Sequence, residues 1–283
     1  MVFLKSIYYS LRFIINFRYQ KPALGIIRYL YWGFLKKIHG FPIKVKFSDS
    51  FIIFHNSFEA NQGGTKLFTC GVYDYDNIMF AKILIGSEVG TFFDVGANIG
   101  IYSLILSENP LISVFSFEPH PVTFKVLNNN ILNNGRDNIF LFQNVVGAER
   151  RKVNFSGTPV SSTNRVITNE GSSSLRLEQI KLSTIIKQYQ SLPTVLKIDT
   201  EGYEYEVLLG LEEYLGEIKL LIVEISENED KIMKLVKPFF EGPYYINYGK
   251  KLLNYERYYQ EDPVFINKKY ITQILAQLSF QLK

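Results

Sequence analysis

Hydrophobic residues recur at helical spacing along residues 1–40 of the chain. Two runs, 3–18 and 23–38, place apolar side chains three or four residues apart, with positive charges on their other faces. The apolar positions are Phe3, Leu4, Ile7, Leu11, Ile14 and Ile15 in the first run, and Leu24, Ile27, Leu30, Phe34 and Ile38 in the second. The pattern predicts a basic, amphipathic helical arm. Neither run has the roughly 18–20 continuous apolar residues that a membrane span needs.

The pattern changes after residue 40. Alternation at Ile43, Val45 and Phe47, followed by an apolar run at 51–54, predicts a β-rich segment with turns over 41–72. From residue 73 onward, short apolar runs alternate with helical patterns. Strands are predicted at 91–95, 112–117, 138–142, 194–199 and 219–225, and helices at 75–84, 99–108, 121–134, 179–189 and 203–215. This alternation predicts an α/β domain over 73–283 with a parallel, doubly wound sheet.

Two further segments complete that domain. Residues 156–176 are rich in Ser, Thr and Gly and show no apolar period, which predicts a polar loop inserted beside the sheet. Residues 243–270 alternate tyrosines with apolar residues and are predicted to form a closing pair of strands. A short last helix is predicted at 270–281.

Charge is distributed unevenly along the chain. Residues 1–48 contain nine lysines and arginines and no carboxylate, because the first acid is Asp49, whereas the remaining residues are net acidic. An acidic body argues against a nucleic-acid-binding surface. The single cysteine, Cys70, excludes an internal disulfide and indicates a reducing compartment, so we expect a cytoplasmic protein.

Candidate chemistry begins at the end of the first predicted strand of the α/β domain. Residues 92–100 read Phe-Phe-Asp-Val-Gly-Ala-Asn-Ile-Gly, an apolar strand that ends in an acid and turns through two glycines into a helix. A parallel sheet forms a nucleotide site at such a point. The third glycine of a dinucleotide fingerprint is missing at its expected spacing, so the turn alone does not define the nucleotide.

A second acid follows one crossover later. Glu118 ends the apolar strand Phe115-Ser-Phe117 and precedes Pro119. A carboxylate at this point can accept both vicinal hydroxyls of a ribose, since its two oxygens match their spacing. The adjacent His120 has a side chain that titrates near neutral pH, but its place on the ribose side makes it a pocket or surface residue rather than a general base.

A third acidic group follows the strand at 194–199. Asp199, Glu201 and Glu204 lie within six residues and follow Lys197 on the strand itself. Acids this dense at a strand end are costly unless they are used or countered, and Lys197 is expected to counter one of them. Glu204 has an alternative interpretation as a solvated residue in the first turn of a helix.

The set Asp94-x-Gly96-Ala97-Asn98-x-Gly100, Glu118-Pro119, Lys197-Ile-Asp199-x-Glu201-Gly-x-Glu204 and Val223-Glu224-Ile225 closely resembles the FkbM family of S-adenosylmethionine-dependent methyltransferases. The resemblance covers roughly 70–270. It departs from the family at Thr200, usually an aliphatic residue, and at the polar Ser226. Both departures lie near the expected acceptor.

The resemblance implies an α/β, Rossmann-like class I methyltransferase sheet, mostly parallel with its last strand antiparallel, and O-methylation of a sugar, glycan or related small molecule. Asp199, Glu201 and Glu224 are the implied catalytic residues. The residues implied to bind S-adenosylmethionine are Asp94, Gly96, Ala97, Asn98, Gly100, Glu118, Pro119, Asn144 and Asp199. Asn144 follows the third strand and can accept a hydrogen bond from the adenine amino group through its amide oxygen.

Two mechanisms are compatible with these residues. In one, Asp199 accepts the hydroxyl proton without a metal. In the other, Asp199 and Glu224 ligate Mg²⁺, which suits a set of oxygen ligands better than zinc does. Removal of divalent ions distinguishes the two.

Other functions and partners also remain open. An inactive, cofactor-binding interaction module and a nucleic-acid methyltransferase are the alternative functions. No Asn/Asp-Pro-Pro-aromatic motif of amino-base methylases is present, which favours a protein that does not act on nucleic acid. Residues 1–40 either dock on an anionic membrane surface, where lipid-linked saccharides are assembled on the inner face, or pack on the core or in a homodimer.

Overall fold

The computed structural model describes residues 2–17, 19–86, 90–157, 164–167, 174–225, 227–256 and 262–282. The chain divides into two compact units, Met1–Tyr73 and Asp74–Lys283, and each unit buries apolar side chains of its own. Within the described residues, no helix has both the length and the apolar character required to cross a membrane.

Helices and one hairpin form the first unit. Its elements are α1 (Val2–Asn16), α2 (Pro22–Phe34), a π-helical turn (Leu35–His39), β1 (Ile43–Phe47), β2 (Ser50–Phe54), α3 (Ser57–Glu59), a second π-helical turn (Ala60–Gly64) and α4 (Thr65–Cys70). The two strands pair antiparallel with Ile43 opposite Phe54. Alternate residues of β1 are buried, as its period-two pattern predicted.

Trp32 lies at the centre of this unit. Its indole Nε1 donates to Thr65 Oγ1 at 3.0 Å, and its ring stacks on Phe68 with the centroids 4.8 Å apart. Gly25, also buried on α2, lets α1 approach closely, because a Cβ at this position would stand 2.5 Å from Ile14 Cγ2. One face of α2 is therefore committed to the interior of the unit.

The second unit is an α/β domain. Its helices are α5 (Tyr75–Gly86), α6 (Ile101–Leu106), α7 (Pro121–Asn133), α8 (Leu182–Tyr189), α9 (Glu204–Leu209), α10 (Glu229–Val236) and α11 (Ile271–Leu278), with 3-10 turns at Glu212–Glu217 and Tyr248–Lys250. Its strands are β3 (Thr91–Val95), β4 (Ser113–Phe117), β5 (Ile139–Phe142), β6 (Val145–Val146), β7 (Arg151–Ser156), β8 (Val166–Ile167), β9 (Ser174–Ile180), β10 (Val195–Ile198), β11 (Leu220–Val223), β12 (Phe240–Asn247), β13 (Leu252–Asn254), β14 (Val264–Asn267) and β15 (Gln281–Leu282).

The main sheet confirms the predicted fold class. Its strand order is β15-β13-β12-β14-β11-β10-β3-β4-β5. The five strands from β5 to β11 pair in parallel, whereas β14 runs antiparallel to β11 and β12. Helices connect the parallel strands, so the central strands are covered and β10 and β11 are buried along their whole length. The order reverses direction between β3 and β10, which is where a doubly wound sheet opens a cleft.

A second sheet of four strands, in the order β6-β9-β7-β8, was not predicted. The segment 156–176, predicted to be a polar loop, contains β8 and the start of β9, and the helix predicted at 179–189 begins only at Leu182. The reason is that β9 has the sequence Ser-Leu-Arg-Leu-Glu-Gln-Ile, whose strand alternation is hidden by the polar residues around it. Val145, Val153 and Phe155 form the small core of this sheet.

Two further differences concern the carboxyl-terminal half. The helix predicted at 203–215 ends at Leu209 and continues as a 3-10 turn, and α10 was not predicted. Three strands rather than two, β12 to β14, lie within or overlap 243–270. These strands extend the main sheet beyond β11.

Candidate active site

The turn after β3 brings its backbone against two neighbouring segments. Gly96 N and Ala97 N both donate to Phe117 O at 3.0 Å, which fixes the turn to the end of β4. Gly96 has φ +79°, and a Cβ at this position would stand 1.9 Å from Asp199 O. The turn after β3 and the turn after β10 therefore touch through their backbones, and only glycine allows this approach.

Asn98 and Gly100 complete this turn with positive φ angles of 50° and 94°. Asn98 Oδ1 is buried and accepts no hydrogen bond from the residues that the structure describes. A buried acceptor without a donor is costly unless a ligand supplies one. The turn therefore offers one orphaned acceptor at the carboxyl end of β3.

Asp94 lies beneath the turn rather than in the open cleft. Its Oδ2 accepts from Ser103 Oγ at 2.6 Å, and Ser103 Oγ lies 2.8 Å from Ser116 Oγ. The carboxylate is buried, and burial raises its pKa, although Lys197 and Ser103 oppose the shift. Ser103 and Ser116 were missed, yet both interrupt apolar segments, which is the signal that could have found them.

Lys197 joins the two turns electrostatically. Its Nζ lies 3.0 Å from Asp199 Oδ2 and 3.7 Å from Asp94 Oδ1, and it donates to Gly96 O at 3.0 Å. Burial alone would lower the pKa of Lys197, but Asp199 and Asp94 more than offset it, and the pKa lies above its ordinary value. The expectation that Lys197 counters one of the acids after its strand is confirmed for Asp199, and Lys197 also pairs with Asp94 of β3.

Glu118 connects the turn after β3 to the start of α7. Its Oε2 accepts from Asn98 N at 3.1 Å and its Oε1 from His120 N at 2.9 Å. Burial raises the pKa of Glu118 to about 7 despite these two hydrogen bonds. Pro119, between the two, is partly exposed. Each carboxylate oxygen retains a second lone pair for a ligand hydroxyl.

His120 and Asn144 both follow this acid in the chain. His120 is buried and caps α7, since its Nδ1 lies 3.3 Å from Thr123 Oγ1 and accepts from Thr123 N at 3.4 Å. Burial lowers the pKa of His120. Asn144 lies between β5 and β6, and its Nδ2 donates to Glu178 O at 3.4 Å. This hydrogen bond uses the amide nitrogen and not the amide oxygen.

The turn after β10 is organised by Glu204. Its Oε1 accepts from Thr200 N, Thr200 Oγ1 and Gly202 N at 3.1, 3.1 and 2.9 Å. Glu204 is fully buried, and burial raises its pKa. The interpretation of Glu204 as a solvated residue of the first helical turn is therefore wrong. The departure at Thr200 has a structural role, because its hydroxyl is one of the three donors.

The three acids with implied catalytic roles do come together. Carboxylate oxygens of Asp199, Glu201 and Glu224 lie within 4.8 Å of one another. Burial, followed by the charges of Asp199 and Glu201, raises the pKa of Glu224 to about 9. Burial and Asp199 also raise the pKa of Glu201, whose backbone has a positive φ of 55°. The cluster thus concentrates negative charge beside the glycine turn.

The second sheet approaches the same acidic turn. Tyr203 Oη donates to Gln179 Oε1 of β9 at 3.0 Å, and Arg151 of β7 donates to Tyr203 Oη at 3.4 Å. Arg165 pairs with Glu227 at 2.9 Å, and its charge acts on Glu201. Sequence reasoning missed Tyr203, Gln179 and Glu227, since their partners are distant in the chain. Arg165 lies in the segment 156–176 that was predicted to be a polar loop.

The glycine turn, the buried Glu118 and the acidic cluster agree with the comparison to known families. Residues 94–256 match the Methyltransferase FkbM domain. The chain belongs to the FkbM methyltransferase family. This confirms the resemblance found in the sequence and, with it, a methyltransferase that uses S-adenosylmethionine.

Two relatives of this FkbM methyltransferase have described activities. The hexuronic acid methyltransferase AglP of Haloferax volcanii is 31% identical over 149 residues, which are 50% of this chain and 59% of AglP. The methyltransferase sdnD of Sordaria araneosa is 25% identical over 197 residues, covering 57% of this chain and 73% of sdnD. The match thus spans less than two thirds of the length of AglP.

Solved methyltransferase structures show more distant likenesses to this FkbM methyltransferase. An rRNA methylase from Streptococcus thermophilus has a TM-score of 0.41 at 10% identity and covers 68% of this chain and 93% of its own. A SAM-dependent methyltransferase from Agrobacterium tumefaciens has a TM-score of 0.40 at 9% identity, with 69% and 57% covered. Likenesses this distant carry no information about substrate.

Proposed function

We propose that this protein transfers a methyl group from S-adenosylmethionine to a hydroxyl of a sugar or glycan. The observation that carries the proposal is the contact between the glycine turn and the acidic turn, made by Gly96 against the Asp199 backbone. This contact supports the proposal because a donor bound at the glycine turn would lie beside Asp199 at the adjoining strand end. Transfer of a methyl group requires this proximity, because donor and acceptor must be aligned in line.

The donor would bind along the turn after β3. The two residues that fit it are Asn98, whose buried Oδ1 has no donor among the described residues, and Glu118, whose carboxylate is oriented by two backbone amides. Glu118 would accept the ribose hydroxyls, and Asn144 the adenine amino group. Asp94 would act indirectly, by holding α6 through Ser103 and by pairing directly with Lys197. The donor supplies an electrophilic methyl group when bound.

Asp199 is the residue best placed to accept the hydroxyl proton. It ends β10 next to the glycine turn, its side chain is 36% exposed, and Lys197 holds one of its oxygens at 3.0 Å. Burial and the neighbouring Asp199 raise the pKa of Glu224, which favours Glu224 as the protonated, hydrogen-bond-donating member of the pair and Asp199 as the base. Proton removal by a positioned carboxylate is worth about 10²–10⁴ in rate.

The metal version of the mechanism rests on the same three acids. Asp199, Glu201 and Glu224 offer only oxygen atoms, which is the ligand chemistry of Mg²⁺. Burial is the main cause of the raised pKa of Glu224, and the negative charges of Asp199 and Glu201, which a divalent cation would offset, raise it further. Thermal unfolding with EDTA or with Mg²⁺ tests this independently of turnover. If neither the thermal unfolding midpoint nor the turnover in EDTA changes, the mechanism in which Asp199 acts without a metal is supported.

A sugar acceptor is favoured over other hydroxyl compounds by the relationship to AglP, which acts on a hexuronic acid. Arg165 lies near Glu201 and offers a guanidinium to an acidic sugar. The competing functions are an inactive cofactor-binding module and a nucleic-acid methyltransferase. The intact Asp199 and Glu224 argue against the first, and the net acidic charge after residue 48 argues against the second.

Two measurements distinguish the proposed donor site from the proposed acceptor site. Calorimetric titration with S-adenosylmethionine measures donor binding, and turnover with uronic acid glycosides, neutral glycosides and RNA identifies the acceptor. Glu118→Ala is expected to weaken donor binding at least tenfold. Asp199→Asn is expected to reduce turnover by 10²-fold or more and to leave donor affinity largely intact. Equal losses of donor affinity in the two variants would contradict the assigned roles. Turnover on RNA alone would overturn the sugar acceptor.

A further inference from the structure

Helix α2 has one buried face and one exposed apolar face. Gly25 and Trp32 are buried in the first unit. The opposite side of the helix and of the π-helical turn after it carries large apolar residues that are all exposed: Leu24, Ile27, Leu30, Tyr31, Phe34 and Ile38. Three of them, Ile27, Leu30 and Ile38, are 63%, 68% and 71% exposed. We call this set the α2 stripe.

The α2 stripe is not an ordinary surface. Its members recur every three or four positions, so they form one continuous row along the helix. Single exposed leucines are common on soluble proteins, but a row of six large apolar side chains marks an interaction surface. The sequence left open whether residues 1–40 dock on a membrane or pack on the core or in a homodimer. The exposure of this row favours a partner outside the chain over packing on the core.

Charge identifies the chemistry of that partner. The first unit carries ten lysines and arginines against two carboxylates, Asp49 and Glu59, whereas the second unit has more acids than bases. Arg28 and Lys37 are exposed on either side of the α2 stripe. An apolar row flanked by cations fits a surface that presents anionic groups above hydrocarbon.

We propose that the α2 stripe docks the protein on an anionic lipid bilayer, with the helix lying in the plane of the interface. The apolar side chains would enter the boundary between headgroups and acyl chains, and Arg28 and Lys37 would contact lipid phosphates. The helix is too short to span a bilayer, so the attachment is peripheral and reversible. This surface is independent of the proposed methyl transfer.

Co-sedimentation of the full-length protein with vesicles tests the proposal. One set of vesicles contains phosphatidylglycerol and phosphatidylcholine in equal parts, and the other contains phosphatidylcholine alone. We expect pelleting with the first set and little with the second. Arg28→Gln with Lys37→Gln is expected to weaken binding about fivefold for each charge removed.

The apolar contribution is tested by Ile27→Ser combined with Leu30→Ser and Phe34→Ser. Because these side chains are exposed, the substitutions should leave the fold intact, which circular dichroism and donor titration can verify. Binding to the anionic vesicles is expected to fall by about 100-fold or more. The matched control is Leu111→Ser, Val122→Ser and Leu132→Ser, three exposed apolar residues of the second unit, which should bind as the wild type does.

Three outcomes would overturn the proposal. The first is the absence of pelleting by the wild type, and the second is equal pelleting by the wild type and the α2 stripe variant. The third is a wild-type dimer, seen by light scattering without lipid, that the α2 stripe variant converts to a monomer. That result would assign the row to a second copy of the chain.

Discussion

The turn after β3 and the turn after β10 adjoin in space but are held by different forces. Residues 95–100 are fixed by backbone hydrogen bonds to Phe117 O and by a glycine at the point of closest approach. Residues 199–204 are fixed by charge, because Lys197 holds Asp199 and the buried Glu204 collects three donors. Added side-chain volume is thus expected to destabilise the first turn, and a change of charge is expected to destabilise the second.

The largest effect is expected where volume is forced into the first turn. Gly96→Ala would place a Cβ 1.9 Å from Asp199 O at a positive φ, and neither backbone can yield without moving its strand. We expect the free energy of unfolding in urea to fall by about 4 kcal/mol or more, with donor binding lost. Gly135→Ala is the matched control, since its φ is also positive but no atom lies within 4 Å. It should cost only about 1 kcal/mol. Similar losses for the two would refute the volume argument.

The next effect is expected from the charge that joins the two turns. Lys197→Met would leave Asp94 buried without its cation, which should cost about 3–4 kcal/mol of unfolding free energy. Adding Asp94→Asn removes the stranded charge and should recover part of that loss. A double-mutant cycle measures this coupling. Strict additivity would show that the two groups do not interact.

The raised pKa of Glu118 predicts that the stability of the protein depends on pH. Its pKa rises from 4.5 to about 7 on folding, so the native state binds the proton more tightly than the unfolded chain does. Its contribution to stability is therefore largest below pH 4.5 and is lost as the pH rises to 7. Relative to Glu118→Gln, the wild type should lose about 3 kcal/mol of unfolding free energy over this range. Parallel pH profiles for the two proteins would contradict the raised pKa.

The smallest effect is expected from Glu204→Gln. Its carbonyl oxygen can still accept hydrogen bonds from the turn, but without the strength that a full charge gives them. Unfolding free energy should fall by about 1 kcal/mol, and turnover should fall more than donor affinity because the Asp199 turn loosens. Glu206→Gln, two residues along the same helix and only partly buried, should change stability by no more than about 0.5 kcal/mol.

The sequence predicted the first turn better than the second. A glycine that permits contact between two backbones leaves a local pattern, and the strand predicted at 91–95 matches β3, Thr91–Val95. Glu204 gave no such pattern, since a glutamate in the first helical turn is usually solvated and its burial depends on how the turn folds back. Burial of this kind is a property of tertiary packing and cannot be read from neighbouring residues.

The second sheet shows the same limit on a larger scale. Strands β7 and β9 pair Arg151 with Gln179 and Ser156 with Ser174, across a long polar segment. Few residues of these two strands are buried, so their apolar alternation is weak. The main sheet was predictable because its strands are buried on both faces and read as continuous apolar runs. The exposed α2 stripe was visible in sequence as a helical face, but only the fold shows which face points outward.

The contact between Gly96 and Asp199 also constrains how the protein can move. Because the two backbones touch, neither turn can be displaced toward the other, and a shift of one must carry its neighbour with it. Under the proposed function, the donor site and the acceptor site would therefore move together as one rigid body. The distance between the two turns, and with it the path of a methyl group in the proposed reaction, would then be set when the chain folds.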